Sequence, residues 1–97
     1  MTFRLELTPT AQAEKDRLEK DDEPKFKKIV KTLYYLEADL RPAGMHTHEF
    51  KSLKGANGEK MWTSYVENKT PAAFRILWYH DSKRRGVIMI QAITPHY

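Results

Sequence analysis

Apolar and polar positions alternate along the chain in ways that mark its elements. "FRLEL" sets Phe3, Leu5 and Leu7 on one side and Arg4 and Glu6 on the other, the period of a half-buried strand. "TPTAQAEKDRLEK" follows. Thr8 can cap a helix and Pro9 suits its first turn, but the apolar stripe is thin (Ala11, Leu18), which predicts a short or loosely held helix. "DDEPKFKKIVKTLYYLEADLRPAG" is the clearest element. Asp22 is the cap, Glu23 and Pro24 fit the first turn, and Phe26, Ile29, Val30, Leu33, Leu36 and Leu40 recur at helical spacing as one buried stripe. Lys25, Lys27, Lys28 and Lys31 stay largely outside it, and Arg41-Pro42-Ala43-Gly44 ends the helix. The two helices are too close in sequence for anything but a hairpin.

Residues 44–60 are polar, with a glycine-containing turn. Then come three strands, "MWTSYVE", "AAFRILWYH" and "VIMIQAIT", separated by the turns "NKTPA" and "DSKRRG". Short links between sequential strands predict an antiparallel meander. The expected fold class is α+β: one domain over residues 1–97, order β-α-α-β-β-β, with the helix hairpin packed on one face of the sheet. That leaves a face without helices. If Phe74, Ile76 and Trp78 meet the helices, Arg75, Leu77 and Tyr79 point to the open face, where binding or chemistry would sit.

Composition changes this picture in three ways. The 97 residues allow one small domain with a modest core, and 40% hydrophobic residues are enough to fold it. There is no cysteine, which excludes a disulfide framework and a thiolate metal site. No apolar stretch is long enough for a membrane helix, and "MTFRLELT" does not read as a signal peptide, so cytoplasmic residence is the expectation. The net charge of +4 is uneven. Up to Glu23, seven acids and four bases balance at −3; from Pro24 on, thirteen bases and six acids balance at +7. The basic part is either a polyanion footprint or an ordinary solvated surface.

The order of elements with "FKSLKG", Trp62, "AAFRILWYH" and a last apolar strand closing on "ITPHY" resembles the RelE/ParE toxin superfamily. "FRILW" looks like its central strand, and the final His96-Tyr97 looks like the YoeB branch. The resemblance implies the toxin of a type II toxin–antitoxin system: a ribosome-dependent mRNA endonuclease silenced by a separately encoded antitoxin. Its partners would be the antitoxin, mRNA and the ribosome, with no membrane and with a homodimer left open. No metal or other cofactor is implied, because the RNA 2′-OH is itself the nucleophile. A base takes its proton, a cation steadies the phosphate's added charge, and an acid protonates the leaving 5′ oxygen.

Residue by residue, Arg75 matches the family's phosphate-holding strand arginine; an exposed arginine paired with a carboxylate across the sheet is the other reading. His96 matches a general acid, with Pro95 stiffening the approach, and Tyr97 a stacking or phosphate-holding group; both could equally be an ordinary tail. The base is the point of departure. Anchored on "SLK", the family's glutamate position falls on Lys51, with Glu49 two residues earlier. A shifted register makes Glu49 the base and leaves Lys51 and Lys54 to hold phosphate; Lys51, His46 and His48 remain alternatives for the base. "WTSYV" lacks the lysines that RelE itself uses. In "HTHEF", His46 and His48 would share a face if extended, and RNA contact, a spare acid–base role or plain surface are all better readings than a zinc site, which lacks an HExxH pattern. Trp78 reads as core and Tyr79 as the better base-stacking candidate. Two rivals stand beside the nuclease: a ParE-like toxin that binds DNA gyrase without cutting RNA, disfavoured by the His-Tyr end, and a decayed, non-toxic binding relative, favoured by the mismatched base.

Overall fold

The structure is a computed structural model and describes residues 2–68 and 72–95. Its elements are β1 (Arg4–Leu7), α1 (Pro9–Asp21), α2 (Glu23–Glu37), a single 3-10 turn (Ala43–Met45), β2 (His48–Lys54), β3 (Lys60–Tyr65), β4 (Phe74–His80) and β5 (Val87–Pro95). They form one five-stranded sheet in the order β1-β5-β4-β3-β2. The α+β class and the helix hairpin on one face are as the sequence predicts.

Both helices start where side chains satisfy their free amides. The Thr8 hydroxyl accepts from the Ala11 N–H at 3.2 Å and donates to the Gln91 carbonyl at 2.8 Å, which ties the start of α1 to β5. Asp22 accepts from the Lys25 N–H at 3.2 Å. The main core then joins Ala11 and Leu18 of α1, Ile29, Leu33 and Leu36 of α2, Phe74, Ile76 and Trp78 of β4, and Ile88, Ile90 and Ile93 of β5. Burying each of the larger side chains contributes about 1.5–3 kcal/mol. The face containing Phe74, Ile76 and Trp78 does meet the helices.

Three details differ from the sequence reading. Val30 and Leu40 are 41% and 47% exposed rather than in the buried stripe. Val30 flanks the contact line, and α2 stops at Glu37, with Asp39 in the left-handed region (φ 60°), so Leu40 has left the helical register. Residues 48–54 form a strand, so the sheet has five strands rather than four. β1 pairs in parallel with β5 (Arg4 opposite Val87, Leu7 opposite Ile90), so the sheet is mixed rather than purely antiparallel.

The helix-free face has its own small apolar cluster, Met61, Leu77 and Tyr79, with Phe50, Met89 and Ala92 against it. Among the described residues, no helix is long and apolar enough to cross a membrane.

A candidate active site on the helix-free face

Arg75 sits in the middle of β4, opposite Tyr65 of β3 and Thr94 of β5. Directly opposed residues share a face, so all three point away from the helices. The guanidinium carbon lies 4.9 Å from the centre of the Phe50 ring, a cation–π contact. Its Nε is buried and has no hydrogen-bond partner among the described residues. None of the ion pairs among the described residues involves Arg75. The cross-sheet carboxylate pair allowed by the sequence is therefore not what these residues form. A buried, unpaired guanidinium N–H costs free energy until an acceptor reaches it, and a phosphate oxygen is such an acceptor.

Two imidazoles flank Tyr65, with ring centres 6.4 Å (His46) and 5.9 Å (His48) from the phenol ring. They do not share a strand face. His46 ends the 3-10 turn in the left-handed region (φ 46°, ψ 44°), and His48 opens β2 opposite Thr63. The bend lets both rings reach the same phenol. His48 Nδ1 lies 2.6 Å from the His46 carbonyl oxygen. A carbonyl only accepts, so Nδ1 carries the hydrogen and Nε2 of the neutral ring keeps its lone pair. That is the tautomer a general base needs.

The residue between the histidines is anchored from the core. The Trp78 indole N–H donates to Ser64 Oγ at 2.9 Å, and Ser64 Oγ lies 2.8 Å from Thr47 Oγ1. Ser64 is fully buried, so this hydrogen-bond chain runs in a low-dielectric environment. Thr63, also fully buried and opposite His48 on the neighbouring strand, has a hydroxyl without a partner among the described residues.

No family model matches the chain, and no curated protein matches its sequence. Solved structures do match. A YoeB/ParE toxin from Agrobacterium tumefaciens gives a TM-score of 0.70 at 13% identity, covering 97% of this chain and 99% of that one. A YoeB dimer from Staphylococcus aureus gives 0.67 at 15% identity over all of both chains. The heterotetrameric YoeB–YefM toxin–antitoxin complex from Staphylococcus aureus gives 0.66 at 17% identity, again over all of both chains. The chain has the YoeB fold.

On this YoeB fold the other expected site residues separate. Glu49 stands opposite Trp62, and Trp62 packs against the helix-side core, so Glu49 points to the face opposite Arg75. Lys54 shares that face; its Nζ is 3.9 Å from the Glu49 carboxylate. The expectation that Glu49 is the base and Lys54 a phosphate contact beside Arg75 is therefore corrected by strand parity. Lys51 is exposed on β2, within the stretch where the β2–β3 register shifts. Tyr79 is on the helix-free face as expected but only 4% exposed, with its ring under Gly55, so stacking on a base does not fit it. Trp78 is core, as expected. His96 and Tyr97 lie outside the described residues.

The site thus includes residues the sequence does not assign to it: Phe50 under the guanidinium, Thr47 and Ser64 behind the histidines, and Tyr65 between them, which reads from the sequence as one of several strand aromatics more suited to the core than to stacking on a base. The signal for Tyr65 was present, because it alternates with Ser64 in "WTSY". Placing Phe50 requires β2, a strand that the polar run of residues 44–60 does not announce.

Proposed function

We propose that this chain is the toxin of a toxin–antitoxin pair and that it cleaves mRNA at the helix-free face. The observation that carries this reading is Arg75: a guanidinium against the Phe50 ring, with a buried Nε unbonded among the described residues, on the sheet face that also carries His48, whose Nε2 keeps its lone pair.

In this reading His48 Nε2 takes the proton of the RNA 2′-OH. The freed oxygen bonds to the adjacent phosphorus, and Arg75 balances the extra negative charge on the phosphoryl oxygens. The P–O5′ bond then breaks, and His96, the acid implied by the resemblance, gives its proton to that oxygen. The products are a 2′,3′-cyclic phosphate and a 5′-hydroxyl. Tyr97 would stack on a base or hold a phosphate, and Lys51 and His46 would contact the strand. Cleavage would take place on the ribosome. The YoeB–YefM complexes support an antitoxin as partner, and the YoeB dimer supports self-association.

The test is primer extension on a reporter mRNA in a bacterial translation extract, with wild type beside Arg75→Gln and His48→Gln. The expected result is in-frame cuts with wild type and their loss with either variant, both still folded. Cuts that persist in Arg75→Gln would refute the assignment.

A further inference from the structure

The chain has a concave site on the other face of the same sheet edge. It is a cleft of about 490 Å³ between the segment that follows α2 and the ends of β3 and β4. Its walls are Arg41, His46, Thr47, Trp62, Trp78 and His80. The volume is within the usual range for small-molecule sites, and the lining has the usual makeup: flat aromatic walls with a few convergent polar groups.

The indoles of Trp62 and Trp78 stack with centres 6.2 Å apart and planes 27° apart. Trp78 is buried, but Trp62 keeps part of its surface exposed, so a flat ring can lie along the cleft against it. His80 stands edge-on to Trp78 at 5.4 Å and to Phe3 at 5.2 Å. Burial first, and then the Arg41 charge, lower the pKa of His80, which leaves a neutral ring with one donor and one acceptor. The Arg41 guanidinium carbon lies 5.1 Å from the centre of the Trp78 ring, and its Nη1 pairs with Asp39 at 3.0 Å. That pair is solvent-exposed and weak, so the guanidinium keeps N–H groups for an anion and Arg41 is the anion-binding side chain among the described residues lining the cleft.

We infer that this cleft binds one nucleotide, with the base against Trp62 and the phosphate on Arg41. The chemistry needed is a flat ring that carries a phosphate, and the cleft offers an aromatic wall, a guanidinium and a neutral imidazole within one nucleotide's reach. His46 lines this cleft and also flanks Tyr65 on the helix-free face. A strand crossing the β2 edge at His46 would therefore place a neighbouring base here while its scissile phosphate lies at Arg75. The assignment to an RNA strand rests on the proposed cleavage function; the nucleotide site itself does not. A free mononucleotide is the other source of the same chemistry.

The chain's two tryptophans both line this cleft, so intrinsic fluorescence reports on it directly. The experiment titrates the full chain with nucleoside 3′-monophosphates, the matching nucleosides, inorganic phosphate and a 2′-O-methylated RNA trinucleotide. Wild type, Arg41→Gln and Arg75→Gln are compared after thermal melts show that each is folded. The inference predicts saturable quenching by the mononucleotides, weakened roughly tenfold in Arg41→Gln and in the nucleosides, and unchanged in Arg75→Gln. Tighter trinucleotide binding that weakens in Arg75→Gln assigns the cleft to the strand. Trinucleotide binding no tighter than that of the mononucleotide assigns it to a free nucleotide. Absence of quenching by every nucleotide, or quenching that depends on Arg75 instead of Arg41, overturns the site. Nucleotide quenching without any RNA cleavage would keep the cleft and reject the nuclease.

Discussion

At the scale of single residues, two substitutions separate chemistry from packing. Arg75→Gln removes the cation that the described residues place at the centre of the site. Removing one preorganised charge stabiliser costs about 100-fold or more in rate, and that loss should appear in cleavage while the thermal midpoint stays near wild type. A midpoint that collapses would make Arg75 structural. Ser64→Ala should do the reverse. It leaves the buried Trp78 indole N–H without an acceptor, at a cost of about 1–3 kcal/mol, read as a lower melting temperature. Residue scale is also where the sequence was most and least informative. The parity that sends Arg75 to the helix-free face and Trp78 to the core could be read from "FRILWYH". Parity gives the face and not the depth, so Tyr79 looked available for stacking until the Gly55 turn was seen to cover it. Glu49 was misplaced because its facing depends on pairing with Trp62, and that pairing is long-range.

At the scale of elements, the β2–β3 hairpin decides the site, because it carries His48 and Phe50. Its strand was missed for a physical reason. "HEFKSLK" is an edge strand with only two large apolar residues, and a register shift between Glu49 and Lys54 breaks its period. The hairpin is held down at its turn. Glu59 accepts from the Ser82 N–H at 2.9 Å, the Ser82 hydroxyl at 3.0 Å and the Asn57 N–H at 2.8 Å, bridging to the β4–β5 turn. These bonds, that of the Ser82 amide foremost, lower the Glu59 pKa from 4.5 to about 2. A carboxylate lowered in the folded state stabilises fully above its unfolded value and loses that stabilisation as pH falls through the folded one. Acid unfolding of wild type should therefore include a component from about pH 4.5 down to about 2 that Glu59→Gln lacks, seen by comparing denaturation midpoints at pH 7 and pH 3. Gly55→Ala tests the same turn. A Cβ there would stand 2.7 Å from the buried Tyr79 ring, and overpacking of this kind costs about 1–3 kcal/mol, measurable by chemical denaturation.

At the scale of the whole molecule, the charge divides along the chain at Glu23, and the basic remainder includes α2 and the four strands of the site side. Of this positive charge, Arg75 stands in the middle of the helix-free face. RNA binding should weaken with added salt, with a log–log slope of roughly −2 to −3 if three or four phosphates are neutralised. A flat response would remove RNA as ligand. The overall order of elements was legible because each helix has its own cap and stripe and each strand of the meander its own turn. The parallel β1–β5 pair was not, since it joins the two ends of the chain and has no local signature.

In the proposed mechanism the 2′-OH of the RNA is the nucleophile at the face carrying Arg75 and His48. The most direct test uses ribosomes programmed with a synthetic mRNA that has one 2′-deoxyribose at the mapped cut. With the 2′-OH as nucleophile, the cut disappears at that position while the chain still binds the complex. Cleavage that continues at the deoxy position would contradict it.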